Sequence, residues 1–328
     1  MRQEQFEQMH RAQWAQFAAV LEALEKTHPL KRSRNNIPDT GELPLLYRLL
    51  CQHLAQAQSR NYGAALVDRL NDWVLRAHHQ LYVRRDRFRD RVIQFAMAGF
   101  PRLVRREWRV VVPAILLLVV PALFAYLAIH LDPKLVYSLF DPNQVANFES
   151  MYNPRLAHLG QARASDTNIQ MFGFYIFHNI AIAFRCFASG LFLMMGAVFE
   201  LVFNGLIFGG LSAHMQNVGY HQTFFPFVVG HGAFELTAIA LAGAAGLRLG
   251  AALIMPGSRT RLTALREAAG VGVSLLYGVT GMLVIAASLE AFWSSDNALP
   301  NWYKYSAGLF FWSSVIFYFL FAGRRRAT

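Results

Sequence analysis

WRVVVPAILLLVVPALFAYLAIHL, residues 108–131, is 24 residues long with no acid and one arginine near its start. About 20 such residues form a helix long enough to cross the ~30 Å hydrocarbon layer of a bilayer. No water serves the backbone there, so a crossing segment must pair its own N–H and C=O groups, as a helix does. That single run excludes an ordinary soluble fold. The whole chain agrees: of its 328 residues 55% are hydrophobic and 16% charged, where soluble domains carry about 25% charge.

Six spans are expected. The first is 108–131. The second and third divide the run Phe172–Met215 at the break RCFASG (185–190). The fourth covers about 224–247, the fifth about 270–291 and the sixth about 305–322. The second is short if it stops at Arg185, which leaves a re-entrant or tilted arrangement open. The fold class is thus all-α: a polytopic helical membrane protein with an N-terminal soluble helical domain. Its parts are a domain at 1–107, a six-span domain at 108–323 with an outer loop at 132–170, and a basic tail at 324–328.

Charge orients the spans. Residues 1–107 hold 18 of the 31 basic and 11 of the 20 acidic residues, a net of +7. Arg248, Arg259, Arg261, Arg266 and Arg324–Arg326 fall on the same side. The opposite loops carry Lys134, Arg155, Arg163 and Lys304 against Asp132, Asp141, Glu149, Asp166 and Asp296. Basic residues stay on the cytoplasmic side, so both termini are expected in the cytoplasm and the chain in a bacterial inner membrane. Trp293, Trp302 and Tyr303 suit the outer interface. This asymmetry accounts for the net charge of +11 without nucleic acid. No cleavable signal peptide is expected, because MRQEQFEQMHRAQW is polar. Cys51 and Cys186 fall in different parts of the chain, so no internal disulfide is expected.

The N-terminal domain reads as helices. Phe6, Trp14, Phe17, Leu21 and Leu24 recur at helical intervals; the segments 43–58 and 65–82 follow, separated by SRNYG. A last helix, about 88–106, sets Phe88, Val92, Phe95, Phe100 and Leu103 on one side, among Arg87, Arg89, Arg91, Arg102, Arg105 and Arg106. Such a helix beside a span fits a surface of anionic lipid, with Arg102, Arg105 and Arg106 as the lipid-surface residues. Solvated arginines on a bundle helix are the alternative.

Few polar groups lie inside the spans: His178, Asn179, Arg185, Glu200, Asn204, His231, Glu235, and Glu290 at a span end. Glu200 and Asn204 are four apart, as are His231 and Glu235, so each pair shares a helix face. A buried carboxylate must be paired, hydrated or protonated. His231, Glu235, Glu200, Asn204, His178 and Asn179 form the candidate polar site. Three uses compete: hydrogen bonds that join helices, a proton or ion path, and a metal or hydrolytic site. The last needs three or four ligands and lacks the HExxH arrangement; His178 and Glu200 would complete a set only if the spans converge. No phosphate loop, GxSxG or dinucleotide fingerprint occurs, so an enzyme is not the expected class, no cofactor is predicted, and the presence of a metal is left open. Small residues at four-residue steps suit close helix packing: Gly205 and Gly209; Ala238, Ala242, Gly246 and Gly250; Gly270, Ser274 and Gly278.

LYRLLCQHLAQAQSRNYG (46–63), LNDWVLRAHHQLY (70–82), GFPRLVRREWR (99–109), FYIFHNIAIAFRCFASG (174–190), NG-x-x-x-G (204–209) and above all HGAFELTAIALAGAAGLRLG (231–250) resemble the stage II sporulation protein M family in its Gram-negative, non-sporulating form. The resemblance runs nearly end to end. It implies an integral inner-membrane protein that scaffolds a cell-envelope assembly. It also implies protein partners, a MoxR-type AAA+ ATPase and von Willebrand factor A-like proteins, beside membrane lipids, with no attached enzymatic activity. Homo-oligomerisation is left open. The alternative function is a transporter, channel or lipid-handling protein that uses the buried His/Glu groups.

Overall fold

The computed structural model describes residues 2–26, 43–82, 88–155, 165–296 and 299–324. Arg87, Arg163 and the tail beyond Arg324 lie outside them, as do the side chains of Leu24 and Phe88. The described residues form helices and no strand. The chain divides into two units, Met1–Asp90 and Arg91–Thr328.

In the first unit, α1 (Gln3–Lys26), α2 (Leu43–Ser59) and α3 (Ala64–Tyr82) enclose one core of Phe6, Trp14, Phe17, Leu21, Leu50, Leu66 and Leu70. Burying the α1 stripe against two partners supplies what short isolated helices lack. His53 sits inside this core, accepting at Nδ1 from the Trp14 indole N–H (3.1 Å), its ring 3.9 Å from that of His10. Burial first, and then His10, push the His53 pKa below its ordinary value of 6.5.

The division falls inside α4 (Phe88–Gln94), which is followed in the second unit by a π-helical turn (Phe95–Gly99) and α5 (Phe100–Arg106). The expected domain boundary at 107 therefore moves back to Asp90/Arg91, for a packing reason. Phe100 is buried, and a methyl group at Gly278 would overlap its ring. Arg105 donates from Nη1 to the Phe319 carbonyl (2.6 Å) and from Nη2 to the Ala322 carbonyl (2.7 Å), and Arg102 donates to the Gly323 carbonyl. These carbonyls end α12 (Asn301–Phe321). The last carbonyls of a helix lack partners within it and attract cations. Arg102 and Arg105 thus cap a membrane helix, while Arg106 turns to Glu107 (3.1 Å).

Among the described residues six helices are long and apolar enough to cross a membrane. They are α6 (Trp108–Leu131), α8 (Ser165–Ala188) with a 3₁₀ turn to Leu191, α9 (Met195–Asn217), α10 (His221–Ile254), α11 (Arg261–Leu289) with a π turn at Glu290–Ser294, and α12. The second span is not short. SDTNIQ joins α8 as its first turns, and the helix runs past Arg185. The chain reverses at Leu193 and Met194, both with positive φ. Residues expected as a loop after 132 contain a 3₁₀ turn (Pro133–Ser138) and α7 (Pro142–Tyr152), which opens on an Asp141 capping box.

α10 is the axis of the bundle. In its apolar stretch 72% of residues are buried, against 17–33% in the other five spans, and it touches α6, α8, α9, α11 and α12. Small residues make this approach close. A methyl group at Gly246 would overlap the Cys186 carbonyl of α8, and one at Gly209 the Ala122 carbonyl of α6. Ala238 and Ala242 are fully buried, and Gly250 lies against Gly190 and Met194. The outer surface is apolar: Phe124, Phe177, Phe199, Leu309 and Phe317 are each more than 60% exposed. A surface of that kind belongs against lipid.

Candidate functional site

His231 and Glu235 stand one turn apart on α10, where i and i+4 share a face. The imidazole Nε2 lies 3.9 Å from a Glu235 carboxylate oxygen. At that distance the pair is an electrostatic contact, too long for a hydrogen bond. Its other nitrogen, Nδ1, lies 3.1 Å from Ser294 Oγ. In the Nδ1–H tautomer Ser294 accepts and the Nε2 lone pair faces Glu235; in the other tautomer the serine hydroxyl donates to Nδ1. His231 is 4% exposed and Ser294 1%.

A third group completes the arrangement. Glu290, where the π turn of α11 begins, brings a carboxylate oxygen to the same place; one ligand atom each from His231, Glu235 and Glu290 lie within 4.8 Å of one another. π turns re-aim side chains inside a helix and recur at functional sites. Here the turn sets both Glu290 and Ser294 toward α10. Among the described residues no Lys or Arg pairs with Glu235 or Glu290, and neither carboxylate accepts a hydrogen bond. The nearby buried cation, Lys304 of α12, is 4% exposed and donates to the Ser294 backbone carbonyl at 2.9 Å.

α7 covers this end of the bundle. His214 Nε2 meets Glu149 Oε1 at 2.8 Å, Asn217 donates to the Ile129 carbonyl at 2.8 Å, and Thr223 donates to the Tyr152 carbonyl. Tyr152 packs between Phe224 and Phe227. Burial first, then Glu290, Tyr175 and Glu235, raise its hydroxyl pKa above the ordinary range. The hydroxyl therefore remains a donor at neutral pH, within electrostatic reach of both carboxylates.

The other expected site residues lie elsewhere. Glu200 is in the second turn of α9, pairing with Arg185 at 3.9 Å. Asn204 bonds the Glu200 backbone carbonyl at 2.7 Å, not its side chain. Leu201, next to Glu200, fills the notch at Gly243, eight residues along α10 from Glu235, or roughly 12 Å at 1.5 Å per residue. His178 is exposed and stacks on Phe174. Asn179 is buried, with its Nδ2 unpaired. α8 runs alongside α10 in the same direction, with Cys186 at Gly246. Asn179, seven residues earlier, is therefore level with Ile239, roughly one turn beyond Glu235.

His231 and Glu235 thus acquire Glu290, Ser294, Tyr152 and Lys304 as neighbours, and not His178 or Glu200. A carboxylate just inside an aromatic-rich span end was the sequence signal for Glu290. Two apolar grooves in the same unit, about 610 Å³ between α6, α9, α10 and α12 and about 420 Å³ between α4, α11 and α12, are lined without these polar residues.

Comparison with known families finds two separate matches along the chain, with residues 84–113 between them. The family model of stage II sporulation protein M matches residues 114–295, which include His231, Glu235 and Glu290. A model described as a domain of unknown function matches residues 4–83. No curated protein and no solved structure matches the chain.

Proposed function

Because the chain belongs to the stage II sporulation protein M family, whose model spans more than half of it, we propose that this integral membrane protein is a non-enzymatic organiser of an assembly in the bacterial cell envelope. It lies in the inner membrane with both termini in the cytoplasm. The six spans anchor it, and the α1–α3 unit recruits partners. The observation that carries this reading is the division of the chain into two separately cored units. The spans around α10 are closed by backbone contact at Gly205, Gly209 and Gly246, as suits an anchor. Exposed Arg89, Arg91 and Arg106 meet anionic headgroups.

The partners to seek first are those the resemblance implies, a MoxR-type AAA+ ATPase and von Willebrand factor A-like proteins. Photo-crosslinking residues placed at the exposed positions Met9 and Leu75 in the full-length protein would test it in living cells. The same envelope-associated proteins should be captured from both positions. Capture of nothing, or only of a second copy of this chain, would remove the recruiting role.

The buried His231, Glu235 and Glu290 cluster favours one second reading, a transporter, channel or lipid-handling protein, since ionisable groups inside spans commonly mark ion or substrate pathways. That reading predicts ion, lipid or solute movement in reconstituted vesicles that depends on Glu235.

A further inference from the structure

We propose that His231, Glu235 and Glu290 bind one divalent first-row transition-metal ion of the zinc class, with a coordination position left open. The site does not depend on the partner-recruiting role and stands whether or not that role holds.

Geometry is the first argument. The three ligand atoms already lie within 4.8 Å of one another. Around a tetrahedral zinc ion with bonds of about 2.0–2.2 Å, ligand atoms stand about 3.3–3.6 Å apart. Closing the difference takes about 1 Å from two flexible glutamates, with no movement of a helix. Three protein ligands with a fourth position free is the pattern of open zinc sites.

Charge is the second. Glu235 and Glu290 converge beside His231 with no Lys or Arg partner among the described residues. Lys304 is engaged with the Ser294 carbonyl. Buried carboxylates are retained where they are paired or coordinate a metal, and a divalent cation balances two of them.

The third argument is how the histidine is held. A metal-bound imidazole donates its other ring N–H to a fixed acceptor, which selects the tautomer and aims the lone pair. Ser294 Oγ lies 3.1 Å from Nδ1 and accepts from it in the Nδ1–H tautomer that metal binding through Nε2 requires, and its own backbone is held by Lys304 at 2.9 Å. Three elements therefore fix the ligands: α10, the π turn of α11, and the first turn of α12. One imidazole nitrogen and two carboxylates favour zinc or manganese over calcium or magnesium, which take six or more oxygens.

The test uses full-length protein in detergent, purified without a histidine tag, stripped with a chelator and dialysed against zinc or manganese salts. The parent should retain about one metal ion per chain. X-ray absorption should show one nitrogen and carboxylate oxygens at about 2.0–2.2 Å. Glu235→Gln and Glu290→Gln should each lower affinity at least tenfold, and Ser294→Ala about 10- to 100-fold through loss of orientation. Each glutamine keeps the side chain's shape and removes a buried charge. The metal-free variants should therefore melt no lower than the metal-free parent, which separates lost binding from lost folding. Equal metal content in the parent and the Glu235→Gln/Glu290→Gln double variant would overturn the proposal, as would absorption spectra without a histidine nitrogen.

Discussion

Glu290 changes what the His231–Glu235 pair can do. Two groups on one helix face can be a structural contact; a third from another helix, with its own carboxylate, makes a convergent site. The opposite lesson comes from Arg105, a surface residue by sequence that satisfies two carbonyls at the end of α12. His53 carries a pH consequence. Its folded pKa lies below the ordinary 6.5 because burial and His10 disfavour its charged form. As pH falls through 6.5 the unfolded chain takes up a proton before the folded one. Stability is therefore fully present above 6.5 and declines as pH drops toward the folded value. Cys51, half-buried on the same helix, reports on opening. The ratio of its labelling rate in the parent to that in His53→Gln should rise between pH 7 and pH 5; a flat ratio would refute the linkage.

At the scale of the helix, small residues are not equivalent. Gly209 on α9 lies where a methyl group would overlap the Ala122 carbonyl of α6, whereas a methyl at Gly270 on α11 meets nothing within 4 Å. Gly209→Ala must push two helices apart and should cost about 1–3 kcal/mol, the usual range for overpacking. Gly270→Ala should be neutral or stabilising by up to about 1 kcal/mol, since alanine favours the helix. Equilibrium unfolding in lipid bicelles distinguishes them, and equal effects would contradict the packing described. The stripe on α11 was readable from spacing, but Gly278 alone of its two glycines receives a neighbour, the Phe100 ring.

For the molecule as a whole, separate cores imply separate stabilities. One core draws on Phe6, Trp14, Phe17 and Leu70; the other is built around α10. Calorimetry of the full chain should resolve two transitions, because cooperativity extends only as far as shared packing. Changing lipid thickness should move the transition of the membrane unit and leave that of the α1–α3 unit in place. A single transition that shifts as one would show that the units fold together.

The sequence by itself determined the class: six apolar runs of bilayer length can be satisfied only by helices, and the α1 stripe defines a second, soluble-type core. It also placed His231 and Glu235 on one face, because residues four apart on a helix must share one. Which elements meet could not be read locally. That Glu290 joins the pair while His178 turns outward and Glu200 pairs with Arg185 depends on how α8, α9 and α11 rotate and slide against α10. That choice is made by contacts between residues far apart in the chain, such as Gly246 on Cys186 and Gly209 on Ala122. The same holds for the domain boundary. The arginine-rich helix looked like a surface element from its charges, and only the notch at Gly278 and the open end of α12 made it part of the membrane bundle.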